Sequence, residues 1–195
     1  MKIKITLLLS AIVFVIASCS NQENETSSSE GDEAKVELTL EKAKEYAMAT
    51  QNILGKNLMH ALGTKGAWGA IEFCSEKTLF LTDSSAKDLK VSIKRVSDKP
   101  RNPENKVNKV ELQIIQAYKN QLAEGLKLEP QKFTDTDGAV SYNVPILTNA
   151  MCLNCHGNEE IAENTTEKLQ ELYPEDKATG YNDNELRGLW VIKSL

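Results

Sequence analysis

From residue 39 to residue 62 the apolar positions Ala43, Tyr46, Ala47, Ile53, Leu54, Leu58, Ala61 and Leu62 return at steps of three and four. That spacing lays them on one face of an α-helix. Thr39 stands where an N-cap belongs, and Gly63 is a natural stop. A second helix is predicted from about Ala67 to Leu81, with Ala67, Ala70, Ile71, Cys74, Thr78 and Leu81 sharing a face, so Cys74 points inward. Asp83-Ser84-Ser85 is expected to break it.

The period then changes. Val91 to Val96 alternates apolar and polar, the pattern of a half-buried strand. Lys99 to Asn105 holds two prolines and two asparagines and reads as a structured turn. Glu111 to Leu122 is a third helix, with Leu112, Ile115, Tyr118 and Leu122 on one stripe and Asn108 as a candidate cap. Gln131 to Leu147 reads as a hairpin turning at Asp137-Gly138. A short helix is expected over 160–172, a loop over 174–184 and a closing strand over 187–192. Helices first, then strands and a hairpin, predict an α+β domain: a small antiparallel sheet with N-terminal helices packed on it.

The first 35 residues follow another pattern. Lys2 and Lys4 precede a short apolar run, Leu7 to Ala17, too short for a stable bilayer span. This is the form of a secretory signal peptide, residues 1–18. It ends in Ile16-Ala17-Ser18-Cys19, which looks like a bacterial lipobox: cleavage before Cys19 leaves that cysteine to be acylated and anchored in membrane lipid. Residues 19–35 are acidic and serine-rich and read as a flexible tether, leaving 36–195 as the folded domain. These features predict an exported chain, lipid-anchored to a bacterial membrane, its domain in the periplasm or cell envelope. Removing 1–18 takes away Lys2 and Lys4 and no acid, leaving 21 basic against 28 acidic residues, a net charge of −7. An acidic surface excludes nucleic acid as a partner and favours a basic docking patch on any redox or signalling protein that meets it.

The chemistry concentrates in Cys152-Leu153-Asn154-Cys155-His156, a C-x-x-C-H. This is the attachment signature of c-type haem. Each thiol adds across a porphyrin vinyl group to give a thioether, and two intervening residues let one turn present both sulfurs. The following His156 then supplies an axial imidazole to the iron. A zinc ribbon needs a second ligand pair, and a chain of four cysteines and two histidines holds none. A mixed zinc site of Cys74, Cys152, Cys155 and His156 asks adjacent residues to bind one tetrahedral ion. A thioredoxin-like motif needs a βαβ setting that is missing. Cofactor attachment outside the cytoplasm agrees with the export signal.

The opposite axial position stays open on the residues alone. Candidates are Cys74, His60, the methionines Met48, Met59 and Met151, and no protein ligand. Cys19 is assigned to lipid and Cys152 and Cys155 to haem, so Cys74 is the odd cysteine of an exported chain. Ligation to iron would explain it; so would burial as a small core residue.

Four segments and one glutamate carry a resemblance. Ala70-Ile71-Glu72-Phe73-Cys74, Arg101-Asn102-Pro103-Glu104-Asn105 with Glu111 six residues on, Cys152 to Gly157, and Glu185-Leu186-Arg187-Gly188 together are similar to exported haem-c domains with a PAS-like fold, long catalogued as a domain of unknown function. Where that family's turn continues with proline, aspartate and tryptophan, this chain has Val107, Asn108 and Val110. The resemblance implies a PAS-like fold, one covalent haem c, and iron held between His156 and Cys74, with His60 the runner-up. It also implies a sensor module.

Three functions compete. A redox or small-ligand sensor suits a thiolate, which favours ferric iron and lowers the potential. A membrane-tethered electron-transfer cytochrome c suits the anchor and the acidic surface. A peroxidase needs a distal acid–base pair, and only His60 could serve, with no motif around it, so no enzyme is expected and no catalytic residue is assigned.

Overall fold

The structure is a computed structural model and describes residues 37–158 and 161–195. The signal peptide, Cys19 and the whole of the tether expected from the sequence lie outside the described residues. Helix α1 runs from Leu40 to Glu76 and α2 from Thr78 to Asp88; strand β1 is Val91–Val96. A 3₁₀ turn, Pro103–Asn105, leads to α3, Lys109–Ala123. Then come β2, Gln131–Thr134; β3, Val140–Leu147; α4, Ala150–His156; α5, Glu163–Leu172; and β4, Leu186–Ser194. This is the α+β class expected from the sequence.

The four strands form one antiparallel sheet in the order β1-β4-β3-β2. The last strand in the chain therefore lies between two earlier ones. β4 is buried along most of its length because both sheet faces are covered. Ala43, Ala47 and Leu54 of α1 pack on Val91, Ile93, Tyr142, Val144, Trp190 and Ile192. On the other face Ile114, Ile115 and Tyr118 of α3 pack on Val96, Leu186, Leu189 and Val191. Alternate residues of β4 thus feed two separate cores. Pro145 is tolerated in β3 because β2 pairs only with residues 140–143, leaving that edge free.

The helices differ from their sequence-based bounds in three ways. α1 continues through Gly63 and is interrupted at Gly66, whose φ of 66° and ψ of −164° are backbone angles that essentially only glycine adopts. The second apolar segment ends at Glu76, and a separate α2 carries the chain through Asp83-Ser84-Ser85 to Asp88. Polar residues do not break α2 because they bond back along it. Thr82 Oγ1 donates to the Thr78 carbonyl at 2.8 Å and Ser85 Oγ to the Leu81 carbonyl at 2.9 Å. In α3 Leu112, expected on the buried stripe, is exposed, while Glu111 is buried. A capping box sets this phase. Asn108 accepts from the Glu111 amide at 2.8 Å and Glu111 accepts from the Asn108 amide at 2.9 Å, which turns the carboxylate toward Lys94. The hairpin closes with a five-residue loop rather than a two-residue turn, since Asp135 Oδ1 accepts from the amides of Asp137 and Ala139.

Candidate haem site

α4 starts three residues beyond β3, so the C-x-x-C-H motif sits at a strand end. Asn149 caps it, its side-chain oxygen accepting from the Cys152 amide at 3.2 Å and lying 3.3 Å from the Cys152 sulfur. One helical turn puts Cys152, Cys155 and His156 at i, i+3 and i+4, on a common face. That face lines a cavity of about 370 Å³, within the size range of small-molecule and cofactor pockets. Cys74, from the part of α1 beyond the Gly66 break, lines the same cavity. Leu58, Met59 and Leu62 from the part before the break complete that wall, and Leu169 and Tyr173 close it from the α5 side.

The structure therefore brings together Cys74, Cys152, Cys155 and His156, four residues singled out from the sequence. His60 is exposed and is not among the residues lining the cavity. Of the methionines, Met59 and Met151 line the cavity while nearly half exposed, and Met48 does not line it. Among the described residues no three His, Cys, Asp or Glu side chains converge closely enough to hold a bare metal ion. The four residues are arranged around a volume rather than a point, which leaves a tetrahedral zinc ion unsupported.

His156 is fixed by the second half of the chain. Its Nδ1 lies 2.6 Å from the Ala178 carbonyl oxygen, so Nδ1 carries the proton and Nε2 is left with the lone pair. Burial first, then the Arg101 and Arg187 guanidiniums, push its pKa well below the usual imidazole value, while the Ala178 carbonyl opposes them. A neutral imidazole with a free Nε2 is the form a metal requires. The Ala178 peptide is itself held. Asp176 Oδ1 accepts from the Ala178 amide at 2.7 Å, and Asp176 Oδ2 accepts from Arg101 Nε at 2.8 Å. A terminal nitrogen of Arg101 donates to the Cys155 carbonyl. Arg101 thus clamps the motif helix to the loop that orients its histidine.

The thiols are set differently. Burial pushes the Cys74 pKa up, opposed first by Arg95 and then by Arg101. Burial also raises that of Cys155, with Arg101 opposing. Arg95, Arg101, Tyr173, Asp176 and the Ala178 carbonyl carried no role in the sequence reading. Arg101 stood in a quoted segment, but nothing in its spacing announced a clamp; the others lie on a strand or in a loop with no motif.

The family model described as Tll0287-like matches residues 22–194. The chain belongs to the Tll0287-like family. A solved structure, that of the cyanobacterial heme-protein Tll0287, superposes with a TM-score of 0.58 at 20% identity, covering 80% of this chain and 96% of that one. At that identity the match shows a shared fold. No curated protein matches the sequence. Family membership agrees with the resemblance drawn from the Ala70–Cys74, Arg101–Asn105, Cys152–Gly157 and Glu185–Gly188 segments.

Proposed function

We propose that this chain is a membrane-anchored, monohaem c-type haem-binding lipoprotein that serves as a redox or small-ligand sensor module. One observation carries the haem reading. A single apolar-walled cavity gathers two thiols one helical turn apart, an imidazole with its Nδ1 already committed, and a third thiol from another element. The residues fit the group. Cys152 and Cys155 would hold the porphyrin through thioethers and His156 Nε2 would bind iron. Cys74 would supply the second axial ligand, favoured over His60 because it lines the cavity. The haem would supply one-electron chemistry. The chain's own part is to hold the imidazole neutral through Ala178 and to exclude water with Leu58, Leu62, Ile71 and Leu169. That the related structure is a heme-protein supports the same reading. Anchoring rests on the Ile16-Ala17-Ser18-Cys19 sequence.

The test is expression with export in a cell that matures c-type cytochromes. Wild type should keep a haem band on a denaturing gel, and Cys152→Ala with Cys155→Ala should lose it. A band surviving in the double variant would overturn covalent attachment. The ferric absorption spectrum should change in Cys74→Ala and stay as in wild type in His60→Ala; the reverse pattern would assign the ligand to His60. Release of an axial ligand on reduction supports the sensor. Six-coordinate haem in both oxidation states would support the alternative, an electron-transfer cytochrome c.

A further inference from the structure

The loop after α5 grips the end of the C-x-x-C-H helix at three points. The Ala178 carbonyl meets His156 Nδ1 at 2.6 Å, the Tyr181 amide donates to the His156 carbonyl at 2.9 Å, and the Gly180 amide donates to the Gly157 carbonyl at 2.8 Å. The last two hold backbone. The first holds the imidazole at one atom, and one hydrogen bond leaves a ring able to rock about it. The Tyr181 ring stands in the way of that motion. It lies 6.3 Å from the His156 ring, centroid to centroid, at an interplanar angle of 89°, the edge-to-face arrangement that aromatic pairs prefer. The Tyr181 ring is itself fixed, with only 4% of the residue exposed. Lys99 Nζ sits 4.3 Å from its centroid and the Arg187 guanidinium 5.4 Å, both within cation–π range. Neither cation is loose. Lys99 Nζ donates to the Thr179 carbonyl at 2.6 Å, and Arg187 Nη1 donates to Ser97 Oγ at 2.9 Å and to the Lys99 carbonyl at 3.2 Å. The Tyr181 hydroxyl, by contrast, is buried and makes no hydrogen bond among the described residues. A buried tyrosine usually gives its hydroxyl a partner, as Tyr118 does with the carbonyls of Glu129 and Asn143, each at 3.0 Å. At Tyr181 the specific contacts fall on the ring.

We propose that Tyr181 is a positioning residue for the axial histidine: its ring, held by Lys99 and Arg187, fixes the plane of the His156 imidazole about its bond to iron. The inference rests on the haem reading above, and on His156 as axial ligand. It does not depend on which group holds the other face of the iron. The Ala178 carbonyl selects the tautomer, and Tyr181 selects the rotation. The plane of an axial imidazole decides which iron d orbitals it overlaps. One fixed plane gives one set of ferric g values, and a loosened plane gives several.

The experiment is low-temperature electron paramagnetic resonance of the full-length, haem-loaded ferric protein, for wild type, Tyr181→Phe, Tyr181→Leu and Tyr118→Leu. In Tyr181→Leu the signal at the wild-type g values should fall to less than half, replaced by shifted or split components. Tyr181→Phe should keep the wild-type g values, because the ring stays and the lost hydroxyl had no protein partner. Tyr118→Leu removes another buried tyrosine, packed against the other sheet core. It should lower the melting temperature and leave the g values in place, which separates positioning from general loosening. Wild-type g values in Tyr181→Leu overturn the proposal. So does a shift of equal size in Tyr181→Phe, which would assign the effect to the hydroxyl, or in Tyr118→Leu, which would assign it to stability. If Tyr181→Leu fails to accumulate, Lys99→Gln decides. Lys99 is half-buried and holds the Tyr181 ring, so a shift away from the wild-type g values supports the proposal and unchanged values overturn it. A wild-type protein lacking covalent haem fails the underlying reading instead, and is seen on the gel beforehand. A His156→Ala variant with the wild-type spectrum fails the ligand assignment.

Discussion

At Arg101 one side chain serves both stability and the site. Its ion pair with Asp176 leaves the two side chains only 10% and 11% exposed, and its second hand reaches the Cys155 carbonyl. Breaking such a pair on one side strands the other charge. Arg101→Met should therefore cost about 3–5 kcal/mol in unfolding free energy, while Arg101→Met combined with Asp176→Asn should cost less, because no uncompensated carboxylate remains. Urea unfolding of the three proteins reads this. Equal losses in the single and double variants would mean that the pair acts by packing rather than by charge. The legible residues at this scale were those whose chemistry needs a fixed local spacing. Cys152, Cys155 and His156 announce themselves within five positions. Cys74 was legible only by elimination and resemblance. Arg101 and Asp176 lie 75 positions apart, and no local pattern records a pairing made by the closing of the fold.

At the scale of elements, α1 lines the cavity with residues from both sides of its break. Leu58 and Leu62 precede Gly66 and Cys74 follows it. A Cβ built on Gly66 meets no atom within 4 Å, so the cost of a side chain there is conformational. Gly66→Ala should destabilise the protein by about 1–3 kcal/mol. Gly55, in the regular part of the same helix, also has open space around it and no positive φ. Gly55→Ala should stabilise by about 0.5–1 kcal/mol. Opposite signs of the melting-temperature shift are the expected result; the same sign for both would remove the backbone explanation of the break. Glycine in the 61–70 stretch signalled a stop, and the stop is present, three residues later than Gly63. The misplacement has a physical cause: an isolated glycine is tolerated inside a helix when both flanks keep their apolar face. The α3 cap at Asn108 was legible because a capping box is written locally. The burial of Glu111 in place of Leu112 was not, since it depends on Lys94 from another element.

Over the whole sheet, the order β1-β4-β3-β2 was beyond local reading, because β4, the last of the four strands in sequence, inserts between β1 and β3 and its partners are chosen by long-range burial. That topology also divides stability unevenly. The two larger clusters lie on the two faces of the sheet, and none of the buried residues that form them lines the cavity. α5 depends on a third and smaller cluster, Ile71, Leu169 and Tyr173, which lies against the cavity wall. A cofactor filling that volume joins α1, α4 and α5; without it the sheet keeps its own contacts and α4 and α5 lose their common neighbour. Local opening follows the number of buried apolar contacts an element retains. Hydrogen–deuterium exchange on the variant with Cys152→Ala and Cys155→Ala should show β1, β3 and β4 as protected as in the haem-loaded protein. Peptides covering α4 and α5 should exchange about tenfold faster or more, the change that a loss of about 1.4 kcal/mol in opening free energy produces. Uniform loss of protection across sheet and helices would instead mean that the cofactor supports the entire fold, and that the two sheet cores are not self-sufficient.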